Sequence, residues 1–140
     1  MLAREDLKHV LREERSSEIK PLQPYFFKSA EEYVRDIENE IREIGNPHSL
    51  ESKMLSDELQ SALTDIDIIF MQRIRKITSL ATALAFAQNQ KPISPANLTE
   101  KERILFDLFY SSIKEMHTEV LGPIHDPTEK VNEELKKEDE

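Results

Sequence analysis

The sequence predicts an all-α fold: a helical bundle with one or two long helices and a charged C-terminal tail. Three observations lead there. Apolar residues recur at spacings of three and four over most of the chain, the repeat of one helix face. Glycine is scarce, two in 140 residues, and hairpin turns depend on it for positive φ. The seven prolines fall mostly between the periodic segments, where they end helices instead of breaking them. With 34% charged and 6% aromatic residues, the composition suits amphipathic helices with solvated faces. The length fits one helical domain, residues 1–123, followed by an acidic linker or tail, residues 124–140.

The first helix is expected over residues 2–15, where Leu7, Val10 and Leu11 share a face and Arg and Glu fill the other. Residues 18–27 then form a connector, because Pro21 and Pro24 disfavour helix. It is unusually apolar, with Ile19, Leu22, Tyr25, Phe26 and Phe27, so it is expected to lie in a groove rather than in water. Ser29-Ala30-Glu31-Glu32 reads as a capping box that starts the second helix. Tyr33, Ile37, Ile41 and Ile44 form its face, and Gly45 and Pro47 end it.

No proline or glycine interrupts Leu50 to Gln88. Leu55, Leu59, Leu63, Ile66, Phe70, Ile77, Leu80 and Leu84 make a stripe along this segment, the longest helical signal in the chain. At about 1.5 Å per residue it would span roughly 55–60 Å, more than a small bundle needs to cover itself. Such a stripe calls for a second surface to bury against, unless the helix breaks near Asp65 to Asp67. A loop is expected over residues 88–98, with Pro92 and Pro95. Thr99-Glu100-Lys101-Glu102 is a second capping box. The final helix carries Ile104, Leu105, Leu108, Phe109, Ile113 and Met116, and Gly122-Pro123 is expected to stop it.

Charge and residue types narrow the function. A net charge of -9 repels a phosphate backbone, so strong direct nucleic-acid binding is not expected. Absence of cysteine excludes disulfides and thiolate chemistry. No apolar run is long enough for a membrane span, and the charged start is no signal peptide, so a cytoplasmic location is expected. His9, His48, His117 and His125 form no metal-ligand spacing, and no Gly-x-Ser-x-Gly elbow or glycine-rich phosphate loop occurs. No catalytic residue, metal or cofactor is therefore assigned. Asp65 and Asp67 face different directions on a helix and make no carboxylate dyad; they are expected in ion pairs within the domain.

The most distinctive segment is Arg73-Ile74-Arg75-Lys76-Ile77. Two readings stand. It is a cationic cluster that meets an acidic partner or a phosphate, with Arg73 at the edge of the apolar stripe. Or it is a solvated, snorkelling face with Ile74 and Ile77 inward.

Several segments together resemble the helical domain of the larger archaeal GINS subunit of the replicative helicase. They are the opening Leu7-Lys8-His9-Val10-Leu11-Arg12-Glu13-Glu14-Arg15, the connector Leu22 to Phe27 with Tyr33 beyond it, the Arg73 to Ile77 run, and Leu98-Thr99-Glu100-Lys101-Glu102. The likeness covers about residues 5–121; the family's small β domain, which follows the helical one, is not matched. The resemblance implies a non-catalytic, nucleoid-associated subunit of a homo- or heterotetramer of GINS subunits. It also implies association with the MCM helicase and a RecJ/Cdc45-like protein in DNA replication. It places Leu63, Phe70, Arg73, Ile77 and Leu84 of the long helix, and Leu108, Phe109 and Met116 of the last, at subunit interfaces. An alternative resemblance is to an all-helical chorismate mutase, carried by Asp65 to Ile74 and Lys91-Pro92-Ile93. In that reading Arg73 would hold a dianionic substrate, but the family's further lysine is not matched between Ala81 and Ala87.

Overall fold

A computed structural model describes residues 2–87 and 96–125. These form four helices: α1 (Arg4–Glu14), α2 (Phe26–Ile44), α3 (Leu50–Phe86) and α4 (Glu100–His125). The all-α expectation holds. Residues 88–95, most of the expected loop, and 126–140, nearly all of the expected tail, lie outside the described residues.

Each helix start and stop has a local cause. The Asp6 carboxylate accepts the Ala3 backbone N–H at 2.9 Å, so the first turn of α1 has a capped donor. Phe26, three residues before the predicted capping box, opens α2. It is buried in the core, and that packing carries the helix back through Ser29, whose backbone N–H bonds the Tyr25 carbonyl at 2.9 Å. Gly45 ends α2 at φ 71°, as predicted. The Ser49 hydroxyl accepts the Ser52 N–H and caps α3. At 37 residues, α3 is roughly 55 Å long and passes Asp65 to Asp67 unbroken. The Thr99–Glu102 capping box forms reciprocally: the Thr99 N–H donates to Glu102 Oε1 at 2.9 Å, and the Glu102 N–H to Thr99 Oγ1 at 3.4 Å. Gly122-Pro123 does not stop α4, which runs on to His125. A proline in the last turn forfeits one backbone bond where the helix is about to end anyway.

α3 is the axis on which α1, α2 and α4 each pack. Two apolar clusters form along it. Leu7 and Leu11 of α1, Phe26 of α2, and Ala62 and Ile69 of α3 make the first. Ile77 and Ala81 of α3, Leu98, and Phe106 of α4 make the second. The connector supplies both: Leu22 packs against the first and Ile19 against the second, which answers its apolar composition, although Tyr25 points into solvent.

α4 runs in the same direction as α3. Glu102 near its start meets Arg73, Phe106 packs with Ile77 and Ala81, and His117 meets Phe86, the last residue of α3, at 5.2 Å between ring centroids. Its final turns therefore extend past the end of α3.

Candidate interaction surface and the buried ion network

Leu63, Phe70, Ile77 and Leu84 are spaced by seven, which keeps them on one face of α3. The structure treats the two halves of this stripe differently. Ile77 is fully buried, and Leu84 is half-buried against the second cluster, both beneath α4. Leu63 and Phe70 lie upstream of the level at which α4 begins, and both are exposed, Phe70 at 52%. Phe27 of α2 lies edge-on to Phe70 at 6.2 Å, so an aromatic pair stands at this uncovered end.

A second apolar surface lies on α4. Leu108 and Met116 are 62% and 65% exposed, and Phe109 is exposed beside them. Ile104, Val120 and Ile124 of α4 and Phe86 of α3 are also exposed. In the 26 residues of α4, Phe106 alone is buried. Sequence periodicity singled out Leu108, Phe109 and Met116; it passed over Phe86, whose exposure follows from its place at the very end of α3.

The Arg73 expectation needs correction. Ile77 is inward, at 0% exposure, as the second reading had it, but Arg73 is 1% exposed, so it lies neither on a solvated face nor at an open interface and belongs to the interior of this chain. Both belong to the buried row of α3, Ala62, Asp65, Ile69, Arg73, Ile77 and Ala81, spaced by threes and fours. Arg73 Nε and Nη2 grip Glu102 of α4 as a fork, at 2.6 and 2.8 Å. Nη1 donates to Glu14 of α1 at 2.6 Å and to the Lys20 carbonyl at 2.9 Å. Nη2 also donates to the Asn97 carbonyl at 3.1 Å. A guanidinium has five N–H donors, and these five bonds match them. Lys76 completes the set, donating to Glu14 Oε2 and to the Glu18 carbonyl, both at 3.0 Å. Two cations thus face two carboxylates. Arg75 of the same run is exposed.

The electrostatics follow from this packing. Burial alone would pull the Arg73 guanidinium down, but its bonds to Glu102 and Glu14 raise it above its ordinary value. Burial likewise pushes the Glu102 carboxyl up. The Arg73 fork, the Thr99 N–H and the Arg73 charge outweigh it and hold Glu102 below its ordinary range. Elsewhere, Tyr33 donates to Glu58 at 2.7 Å, and burial together with that carboxylate pushes its hydroxyl up. Asp65 pairs with Lys8 of α1 at 2.6 Å, an ion pair within the domain as the sequence suggested. Asp67 is exposed.

Glu14 and Glu102 are the residues that sequence reasoning missed as partners of Arg73. Glu102 was legible as a helix cap, but the cap uses only part of its carboxylate. Among the described residues, no cluster of His, Asp or Glu could hold a metal ion, and no helix is long and apolar enough to cross a membrane. Comparison with family models, with curated proteins and with solved structures found no match.

Proposed function

We propose that this chain is a GINS-type helical domain, a non-catalytic module that scaffolds a replicative DNA helicase by packing against sister subunits. The observation that carries the reading is the half-covered stripe of α3. Its lower half is buried beneath α4, while Leu63 and Phe70 continue it upstream and stay exposed, with Phe27 of α2 at the edge of Phe70. Leu108, Phe109 and Met116 offer a second face on α4. Exposed large apolar side chains grouped along helices in this way support a protein–protein contact. The order of the sequence motifs supports the GINS assignment, and with it a homo- or heterotetramer that associates with MCM and a RecJ-like partner at the nucleoid. The net charge of -9 supports partners that are proteins rather than DNA. The chorismate mutase reading requires Arg73 free for a substrate dianion; here its donors are taken by groups of the same chain, which counts against that reading.

Light scattering over a range of concentrations tests the proposal. The expected result is a dimer or tetramer that the double substitution Phe70→Asp and Met116→Asp reduces to a monomer, with the far-UV circular dichroism unchanged. A chain that stays monomeric throughout, and that also fails to capture a second GINS subunit or an MCM ring in a pull-down, would overturn it.

A further inference from the structure

The two apolar clusters do not touch through a continuous core. Along α3 the first ends at Ile69 and the second begins at Ile77, and the residues buried between them are those of the Arg73 network. The elements divide in the same way. α1 and α2 meet α3 around the first cluster, whereas α4 packs mainly against α3 and contributes Phe106 to the second. What fastens α4 to the α1 side of the molecule is mainly polar: Glu102 to Arg73, Arg73 to Glu14, and Asn97 Nδ2 to the Ile19 carbonyl at 2.9 Å, with the Ile19 side chain the apolar contact beside them.

We propose that α4 is a releasable arm, latched to the rest of the fold by the Glu102–Arg73 fork, and that it opens as a unit while α1, α2 and the first cluster stay folded. Three features make the opening local. A 26-residue helix with one fully buried residue, and Leu105 and Tyr110 partly buried beside it, gives up little apolar burial for its length. Its final turns already project beyond α3, so they resist separation with few contacts. When the fork opens, Arg73 keeps the Glu14 carboxylate and the Lys20 carbonyl, so the guanidinium is not left alone in the interior. Release uncovers Ile77 and Ala81 and continues the exposed stripe of Leu63 and Phe70 down the whole of α3. The arm thereby sets how much of that stripe is open to a partner. The inference stands on the packing of this chain and does not depend on the GINS reading.

Hydrogen exchange followed by mass spectrometry on the full chain, wild type and Glu102→Gln, tests it. In the wild type, peptides of residues 100–125 should exchange about tenfold or more faster than those covering Leu7 to Leu11 and Ile69. Glu102→Gln should speed exchange in residues 100–125 by about a further tenfold, because a charge-assisted fork becomes a neutral contact. Peptides of α1 and α2 should keep their wild-type rates. Equal protection of α4 and α1 in the wild type, or equal acceleration of both in the variant, would show one cooperative unit and overturn the proposal. The wild-type comparison decides the matter even if the variant folds poorly.

Discussion

At the scale of single residues, Arg73 carries the largest consequence. A buried ion pair adds modestly to stability compared with a well-packed apolar alternative, but removing one partner strands the other charge. Arg73→Met leaves Glu14 and Glu102 facing an apolar side chain, with Lys76 still paired to Glu14. It is expected to cost about 3–5 kcal/mol, read as a lower urea midpoint; a loss under about 1 kcal/mol would show that water or other cations already screen the pair. The same network predicts a pH dependence. The carboxyl of Glu102 is held below its ordinary value of 4.5 in the folded chain. Its contribution is therefore fully present above that unfolded value and is lost as pH falls through the lowered folded value. Below about pH 4.5 the wild type should lose stability more steeply than Glu102→Gln. Parallel curves for the two proteins would contradict that. Little of this was legible in the sequence. The Arg-Ile-Arg-Lys-Ile run announced itself as a cationic cluster, but its destination depended on Glu14 and Glu102, 59 and 29 residues away. Periodicity gives the face of a helix and not what another helix brings to it.

At the scale of helices, sequence signals worked wherever the cause was local. The Gly45 stop and the Thr99–Glu102 box each rest on residues within one turn, and each is present. Gly45 gives a clean test. Its φ of 71° is strained for any residue with a side chain, yet an added Cβ would meet nothing within 4 Å. Gly45→Ala should therefore cost about 1 kcal/mol from backbone conformation alone, without altering the helical content, as measured by urea unfolding; no change would mean that α2 frays before reaching that position. The signals that failed were overridden from a distance. The Ser29 box lost to the burial of Phe26, a tertiary contact that moves the helix start by three residues. The Gly122-Pro123 stop failed because a proline near a helix end costs only the bond it cannot make. The long α3 was legible from the absence of proline and glycine, and the break near Asp65 to Asp67 that the sequence left open does not occur. Which half of its apolar stripe α4 covers was not legible. That follows from the parallel run of α4.

At the scale of the whole molecule, the division of the core into two clusters decides how the chain should respond to damage. Phe26 and Phe106 are matched in chemistry and nearly so in burial, at 4% and 2% exposure, and removing either side chain to alanine costs about 3–5 kcal/mol where the site cannot collapse. In a single cooperative core the two losses would be interchangeable. In this chain they fall on opposite sides of the Arg73 network. Phe26 joins α2 to the cluster shared with α1 and α3, so its loss weakens the part on which everything else is built. Phe26→Ala should unfold in one transition at a lower urea midpoint, from a starting helical signal close to that of the wild type. Phe106 is the one buried residue of α4 and seats that helix on the second cluster, with Leu105 and Tyr110 packed beside it. If that helix is worth less than the cost of the substitution, Phe106→Ala should begin with part of the α4 signal already missing in far-UV circular dichroism. The remaining helices should then unfold with a midpoint near that of the wild type, because α1, α2 and the first cluster have lost nothing. The slope of that transition should also fall, since it scales with the surface exposed and α4 no longer takes part. A Phe106→Ala protein with full starting helicity and a single transition shifted as far as that of Phe26→Ala would mean that the ion network transmits the loss across the molecule, binding the two clusters into one unit instead of separating them.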